Sequence, residues 1–459
     1  MKKLILGLIM FFCLNISAQE VGQLAKTPPM GWNSWDCFGM DVTESQIRTT
    51  ADYMAENLKE YGWDYIVLDM GWNYGKGLNT SNFRMKKPPL CIDSYGRLIP
   101  NSEKFPSSAN GAGLKTLADY VHSKGLKFGI HIMRGIPWEA VEKNTVIKGT
   151  KYRAKDIAIG KDTCSWFHGL VTVDMSKPGA QEYYDSLIEM YAEWGVDYIK
   201  ADDILKNPYH KKEIEAVSNA IKKVGRPIVL SLSAGPLDVD KINHLRQNAN
   251  LWRISGDMWD CWEYIVESFK LCRQWQNYVI PGHWPDCDIL PLGKLRINGT
   301  DGLLAHKIGL PKEKTINEYS RFTDDEKYTL LTLWSIFRSP LMMGGDLSQL
   351  KNSTLSLLTN KEVLAVNQNS INNHEIRSIG NEIVWVADEP GTGAKYVALF
   401  NINDNNHEKI KVTWNDLGII GKYEVCDLWK NKKIGKYENE FESLINPHGC
   451  GFFKITENE

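Results

Sequence analysis

Four aspartates in this chain each follow a short apolar run, and one of them has a lysine two positions before it. Lys200 and Asp202 belong to the segment YIKADDI, and Asp69, Asp257 and Asp288 end similar runs elsewhere. Side chains two residues apart on a strand point to the same face, so Lys200 and Asp202 face one side. Two carboxylates across a cavity are the groups that hydrolyse a glycosidic bond, one as nucleophile or base and one as proton donor.

The residues around two of these aspartates favour different roles. The lysine before Asp202 is a cation that favours the ionised carboxylate, as a nucleophile requires. The segment WRISGDMWDCW places Trp252, Trp259 and Trp262 around Asp257. An apolar setting disfavours the ionised form, as a proton donor requires. The two settings therefore predict two roles, nucleophile for Asp202 and proton donor for Asp257.

Other interpretations of these residues remain open. Asp202 could form a strand-end salt bridge with Lys200, and Asp257 could be a first-turn acid of the helix that follows it. The acids could bind a metal with His131 or His283, but no HxH or HExxH spacing supports this, and we predict no metal. A barrel that binds carbohydrate without cleaving it is a further alternative, although both carboxylates are present.

The runs that carry these groups alternate with amphipathic helical stretches. Strands are predicted at residues 29–35, 65–72, 127–133, 198–204, 227–233, 251–257, 284–290 and 340–346, of which the seventh is the weakest. Helices are predicted at residues 44–59, 114–123, 180–194, 211–223, 265–275 and 324–337, where apolar residues recur at spacings of three and four. Eight strands with intervening helices predict an α/β fold, a (β/α)8 barrel, with its active site at the carboxyl ends of the strands.

Near residue 373 the helical period disappears, and strand-like runs such as EIVWVADE and KYVALFNIN alternate with polar turns. This change predicts a second domain built as an antiparallel β-sandwich. We therefore place the barrel at residues 20–371 and the sandwich at residues 372–459.

Residues 1–19 have the pattern of a secretory signal peptide. Two lysines precede an apolar run over residues 4–14, and small residues follow at Ser17 and Ala18. The pattern predicts a secreted or periplasmic protein. The apolar run is too short for a permanent anchor, and no later stretch approaches the roughly twenty apolar residues of a membrane span, so we expect no membrane insertion.

Charge and cysteine spacing exclude further classes of protein. The net charge of −2 attracts neither nucleic acid nor an anionic membrane. The eight cysteines that follow residue 19 contain no CxxC pair, which argues against a zinc cluster. Disulfides and buried free thiols are equally compatible with their spacing.

Five motifs together resemble those of glycoside hydrolase family 27, whose best-known members are α-galactosidases. In chain order they are TPPMGWNSWDCF, YIKADD, WRISGD, GHWPDCDIL and LWSIFRSPLMMGGDL. The resemblance covers nearly the whole chain after the leader. It implies a (β/α)8 barrel with a β-sandwich, a retaining reaction through a covalent glycosyl-enzyme, and no metal or other cofactor.

The resemblance also implies roles for particular residues. The family's nucleophile falls on Asp202 and its acid/base on Asp257. The residues that match sugar-binding positions are the stacking Trp35, the hydroxyl-binding Asp69, Lys200 and Asp288, Arg253 near the 2-hydroxyl, and His131, which stands where relatives usually place a tyrosine.

Several positions depart from the family pattern and alter the surroundings of the sugar. Met70 follows Asp69 where the usual members have a second aspartate, and the two aspartates together hold the 4- and 6-hydroxyls of galactose. The family's disulfide beside the active site cannot form here. The other departures are Ala201, Asp203 and Ile204 around the nucleophile, and Ser231, Ser233 and Ala234 where many α-galactosidases carry a glutamate and a bulky residue.

The sequence thus predicts an exported, retaining exo-α-galactosidase that removes terminal α-D-galactosyl residues from an oligosaccharide or polysaccharide. The alternatives are the same mechanism on an α-N-acetylgalactosaminide, a β-L-arabinopyranoside or an α-1,6-glucan, and a carbohydrate-binding barrel without activity.

Overall fold

The structure, a computed structural model, describes residues 21–205, 208–299 and 316–457. The predicted signal peptide at residues 1–19 lies outside these residues. Eight of the described strands pair in one parallel sheet in the order β7-β6-β5-β4-β3-β2-β1-β8. These strands are β1 Met30–Asn33, β2 Tyr65–Leu68, β3 Lys127–Met133, β4 Tyr198–Asp202, β5 Val229–Leu232, β6 Leu251–Arg253, β7 Trp284–Asp286 and β8 Leu341–Met343.

The sheet closes into a ring just beyond β7. Leu290 forms a parallel bridge with Met343 of β8. The amide of Leu290 donates to the carbonyl of Met342 at 2.7 Å, and the amide of Gly344 donates to the carbonyl of Leu290 at 3.0 Å. The predicted (β/α)8 barrel is confirmed.

In the described part of the chain, a helix follows each of the eight barrel strands. Residues Ile47, Ala51 and Met54 of α1 are fully buried at helical spacing, so the apolar stripe of this helix packs on the barrel. The helices are α1 Glu44–Asn57, α2 Lys115–Ser123, α3 Ala180–Glu193, α4 Lys211–Val224, α5 Ile242–Asn248, α6 Trp262–Trp275, α7 Asp324–Phe337 and α8 Lys361–Asn369. None of the described helices is long and apolar enough to cross a membrane.

Shorter elements lie in the loops. Between β3 and α3 the chain forms a small antiparallel sheet of Ile136–Pro137, Ala158–Thr163 and Leu170–Val173. Strands Lys294–Leu295 and Glu318–Tyr319 pair beyond β7. Short helices occupy Trp35–Phe38, Trp138–Lys143, Ala154–Ile157, Asn352–Leu358 and Trp414–Leu417.

The carboxyl-terminal part consists of antiparallel strands, as predicted. Six of them form one sheet in the order β9-β10-β11-β16-β13-β14, and β12 pairs with β15 in a second sheet. Apolar side chains including Val397, Ile410 and Phe441 fill the space between the sheets. The strands are β9 Ile371–Ile379, β10 Glu382–Asp388, β11 Lys395–Asn401, β12 Glu408–Thr413, β13 Lys422–Asp427, β14 Lys432–Glu438, β15 Glu440–Ile445 and β16 Cys450–Glu457. The proposed division between residues 371 and 372 stays a prediction.

The other face of the six-stranded sheet packs against helices of the barrel. The rings of Phe269 and Phe400 meet edge to face with centroids 4.9 Å apart, and those of Phe337 and Trp385 are 6.1 Å apart. Buried residues of the barrel and of this face belong to one continuous hydrophobic core. The two parts of the chain are therefore joined by apolar packing as well as by the chain itself.

Candidate active site

A cavity of about 360 Å³ opens at the carboxyl ends of the barrel strands. This volume is in the range of sites that hold a small ligand. The eight residues that the sequence singled out all line it: Trp35, Asp69, His131, Lys200, Asp202, Arg253, Asp257 and Asp288. The structure therefore brings together side chains that come from six different strands or the loops that follow them.

These side chains lie at or near the carboxyl ends of their strands. Lys200 and Asp202 are the third and last residues of β4, and Arg253 ends β6. Asp69 comes directly after β2, and Asp288 lies two residues beyond β7. Parallel strands of a barrel end at one rim, so residues far apart in sequence meet there.

Asp202 is held by two hydrogen-bonding partners. The amide of Asp203 donates to its Oδ1 at 2.6 Å, and Nε2 of His131 lies 3.2 Å from its Oδ2. Burial raises the pKa of this carboxyl, but the contact with His131 and the charges of His131 and Lys200 outweigh it, and the pKa is lowered. The carboxylate is therefore ionised at neutral pH and fixed in orientation, which suits a nucleophile.

Lys200 makes its shortest contact with Asp69 rather than with Asp202. Its Nζ donates to Oδ2 of Asp69 at 2.8 Å, and the same oxygen accepts from the amide group of Asn33 at 2.7 Å. Burial raises the pKa of Asp69, but the charges of Lys200 and His131, together with hydrogen bonds from Lys200 and the amide of Met70, outweigh burial, and the pKa is lowered. Lys200 and Asp69 form an ionised pair at the base of the cavity.

Arg253 connects the loops after β6 and β7. Its Nη1 lies 2.5 Å from Oδ1 of Asp288, and its Nη2 lies 3.3 Å from Oδ1 of Asp257. Asp288 also accepts a hydrogen bond of 2.7 Å from the amide of Met258. Burial raises the pKa of Asp288, although the charge of Arg253 opposes this. The guanidinium of Arg253 thus fixes the buried carboxyl of Asp288 and contacts the exposed carboxyl of Asp257 at the mouth of the cavity.

The predicted apolar setting of Asp257 is wrong. Its side chain is 64% exposed. Trp252 is instead buried in the core beside Trp275, and Trp262 stacks on His448 with ring centroids 3.9 Å apart. The prediction treated residues 251–257 as one strand, but β6 ends at Arg253. Asp257 therefore sits on a loop whose direction strand alternation does not determine.

Asp36 is a residue of the cavity that the sequence reasoning missed. It follows Trp35, lines the cavity, and is almost fully buried. Its Oδ2 has no hydrogen-bond partner among the described residues. Burial and the charge of Asp288 raise its pKa well above the ordinary value. A carboxyl directly after the strand predicted at residues 29–35, in the segment WNSWDCF, was the available signal.

Apolar side chains form part of the cavity lining. Met70, which is 3% exposed, lines it directly beside Asp69. Phe83, from the loop after β2, meets Trp166, from the loop after β3, edge to face at 6.5 Å. The lining of the cavity therefore combines charged side chains with apolar ones.

The structure adds two observations on metals and thiols. In residues 21–205, 208–299 and 316–457, no group of three His, Cys, Asp or Glu side chains is placed to hold a metal ion. The eight cysteines of these ranges carry free thiols, and the sulfur atoms of Cys272 and Cys287 are 3.5 Å apart.

Comparison with known proteins identifies relatives of both domains. The family model for "Alpha galactosidase A" matches residues 27–138, 157–303 and 309–369, and that for the "Alpha galactosidase C-terminal beta sandwich domain" matches residues 380–455. The chain is 31% identical to α-galactosidase A of Cellvibrio japonicus, with 99% of each chain covered. It is 28% identical to an α-galactosidase of Cyamopsis tetragonoloba, with 94% of this chain and 87% of the relative covered.

Among solved structures, the chain is similar to a family 27 β-L-arabinopyranosidase of Geobacillus stearothermophilus in complex with arabinose. The TM-score is 0.91 and the identity 43%, over 96% of this chain and 100% of the other. The matches extend through the barrel and the sandwich. The chain therefore belongs to glycoside hydrolase family 27 and is a glycosidase of the α-galactosidase family, as its five motifs predicted.

Proposed function

We propose that this glycosidase removes terminal β-L-arabinopyranosyl residues and retains the anomeric configuration. β-L-Arabinopyranose has the ring configuration of α-D-galactopyranose but lacks the hydroxymethyl group on C5. The observation that carries the proposal is Met70, a buried thioether in the cavity where a hydroxyl-binding aspartate stands in the usual family members. A thioether cannot replace a carboxylate as acceptor for the 6-hydroxyl. The 43% identical arabinopyranosidase supports the same substrate.

The mechanism assigns the buried carboxylate to attack and the exposed one to proton transfer. Asp202, ionised and fixed by Asp203 and His131, attacks the anomeric carbon and forms a glycosyl-enzyme. Asp257 lies at the open mouth, where the leaving group departs and water enters. It first donates a proton to the leaving oxygen and then removes one from the incoming water.

The remaining residues hold the sugar. Asp69 and Lys200 form one charged pair that binds ring hydroxyls, and Arg253 with Asp288 forms a second. Trp35 offers its ring as a stacking face. The cavity admits a terminal sugar, which favours removal of residues from chain ends, and the reaction needs no cofactor.

α-D-Galactosides are the second candidate substrate, and they were the preferred prediction from the sequence. Both family models and the relatives at 28% and 31% identity favour them. Both candidate substrates would use the same catalytic residues. They differ in the substituent on C5 and therefore in the contacts that this substituent makes.

A panel of aryl glycosides tests this choice: β-L-arabinopyranoside, α-D-galactopyranoside, α-N-acetyl-D-galactosaminide and α-D-glucopyranoside. We expect the highest kcat/KM on the arabinopyranoside, with NMR showing that the first-formed sugar keeps the anomeric configuration of the substrate. Met70→Asp should raise the ratio of galactoside to arabinopyranoside activity, whereas Met70→Leu should not. A higher kcat/KM of the unmodified enzyme on the galactoside would reject the arabinopyranoside assignment.

Replacement of the nucleophile tests the mechanism. Asp202→Ala should lower kcat by about 10⁴-fold or more, since loss of the covalent route removes several kcal/mol of barrier reduction. Azide should restore turnover in that variant with inversion at the anomeric carbon. Activity that survives Asp202→Ala would exclude this residue as nucleophile.

We also propose that the protein is exported and that residues 1–19 are removed. Amino-terminal sequencing of the protein from the extracellular or periplasmic fraction tests this. A mature chain that starts at Met1 would contradict it.

A further inference from the structure

The residue after the proposed nucleophile has a strained backbone. Asp203 has a φ of +57°, in the left-handed region that costs most residues other than glycine about 1 kcal/mol or more. Its amide is also the donor to Oδ1 of Asp202. A strained conformation persists only where surrounding contacts hold it, so the contacts of this peptide are the ones to identify.

Arg134, just beyond β3, makes those contacts. Its backbone amide donates to the carbonyl of Asp202 at 3.2 Å, and its Nε donates to the carbonyl of Asp203 at 2.6 Å. The same Nε lies 3.0 Å from the carboxylate of Asp203, and the Arg134 side chain is only 4% exposed. Arg134 therefore binds the backbone carbonyls of Asp202 and Asp203 and also pairs with the side chain of Asp203.

Other buried groups hold the side chain of Arg134. Its Nη1 donates to the hydroxyl of Thr172 at 2.5 Å and lies 3.5 Å from Glu213. Glu213 in turn accepts a hydrogen bond of 2.5 Å from Tyr184 and lies 3.3 Å from His210. These buried polar groups hold the guanidinium in place.

We propose that Arg134 is a positioning residue for catalysis, which sets the orientation of the Asp202 carboxylate by holding the peptides on both sides of Asp203. The proposal rests on the assignment of Asp202 as nucleophile. Neither Arg134 nor Asp203 is among the described residues that line the cavity. Arg134 therefore acts through the backbone and not on the sugar.

The test separates chemistry from sugar binding. Arg134→Met removes both Nε contacts and should lower kcat by about 100-fold, the cost of misplacing a catalytic group by about 1 Å. The dissociation constants of free L-arabinose and D-galactose, measured by calorimetry, should change by less than about threefold, because the sugar-binding side chains stay in place. Arg134→Lys, which keeps the charge but not the planar group, should give an intermediate kcat.

The chain offers a matched control at the other end of the same strand. Arg226 donates to Asp197, directly before β4, at 2.5 Å and to the carbonyl of Val196 at 2.8 Å. Arg226→Met removes a comparable set of contacts far from the cavity. It should lower the temperature of unfolding and leave kcat within about twofold of the unmodified enzyme.

Four results decide the proposal. A kcat loss in Arg134→Met with unchanged sugar binding and an active Arg226→Met supports it. An unchanged kcat in Arg134→Met, an equal loss of sugar affinity, or an equal kcat loss in Arg226→Met overturns it. Should Arg134→Met not fold, Arg134→Lys provides the same comparison with a smaller expected loss of kcat. If Asp202→Ala remains active, the assignment of Asp202 as nucleophile is wrong. This result is distinguishable from a failure of the proposal for Arg134.

Discussion

His131 and Lys200 are paired across β3 and β4, yet they hold different carboxylates. His131 contacts Asp202 at 3.2 Å, and Lys200 contacts Asp69 at 2.8 Å. Each aspartate therefore has its own cationic or hydrogen-bonding neighbour, and the pKa of each is lowered in spite of burial. At residue scale, this division allows the proposed nucleophile and a hydroxyl-binding group to be ionised side by side.

Asp36 leads to a prediction about pH and stability. Its pKa in the folded protein is raised well above the ordinary value, first by burial and then by Asp288. In the unfolded chain the Asp36 carboxyl ionises at pH about 4. The folded state therefore loses stability as the pH rises from about 4 through the pKa that Asp36 has in the folded protein. Asp36→Asn should remove this loss, and its free energy of unfolding should exceed that of the unmodified enzyme more at pH 8 than at pH 5.

Urea denaturation at the two pH values measures this difference. Asp119→Asn is the control, because Asp119 is 57% exposed and pairs with Lys115 on the surface of α2. The same pH trend in both variants, or a stability of Asp36→Asn that falls relative to the unmodified enzyme as the pH rises, would refute the prediction.

At the scale of elements, the start of α7 combines a local signal with a contact between domains. Thr323 accepts a hydrogen bond from the amide of Glu326 at 3.2 Å, and Glu326 accepts one from the amide of Thr323 at 2.8 Å. This capping box stabilises the helix terminus. The second carboxylate oxygen of Glu326 lies 2.8 Å from His448 of the sandwich. The cap therefore also orients a residue of the domain interface.

Thr323→Ala should lower the free energy of unfolding by about 1 kcal/mol, the usual cost of losing an N-cap hydroxyl. Thr323→Ser keeps the hydroxyl and should lower it much less. Equilibrium unfolding in urea provides both values, and equal losses in the two variants would show that the hydrogen bond is not the cause.

The elements themselves were largely predictable because their signals are local. The strand predicted at residues 127–133 and the helix predicted at residues 324–337 agree with β3 and α7 at both ends. Periodicity and capping residues specify such segments without knowledge of the rest of the chain. The same reasoning placed Lys200, Asp202 and Arg253 on strands, although the predicted strands extended to residues 204 and 257, beyond the observed ends of β4 and β6.

Loop geometry was not predictable, because contacts distant in sequence determine it. The direction of Asp257 depends on Arg253 and on the loop after β7, which contributes Asp288. Asp36 lies close to Gly344, which follows the neighbouring strand β8 but is distant in the sequence. No pattern within seven or eight residues encodes such neighbours.

For the whole molecule, the hydrophobic core that runs from the barrel into the sandwich predicts joint unfolding. Phe400 of β11 packs on Phe269 of α6 across the interface. Phe400→Ala should cost about 3–5 kcal/mol, the usual range for a buried phenylalanine. Because the core is shared, the temperature at which activity is lost should fall together with that of sandwich unfolding.

Calorimetry combined with activity measurements after heating tests this. One endotherm is expected for the unmodified enzyme. Ile420→Ala, at a position that is 93% exposed, is the control and should change nothing. Activity that persists to the original temperature in Phe400→Ala would show that the barrel unfolds independently.

The closure of the barrel beyond β7 has a consequence for its fluctuations. In the described residues, Leu290 bonds to Met342 and Gly344, whereas other neighbouring strands pair directly along their lengths. This seam is the place where the ring opens most easily, and amide hydrogens there should exchange with solvent early. Asp288 lies two residues before Leu290, and Asp69 follows β2, on the other side of the seam. A sugar bound to both aspartates would link the two sides of this seam and stabilise the closed ring. Substrate should therefore slow amide hydrogen exchange at Leu290 and Gly344.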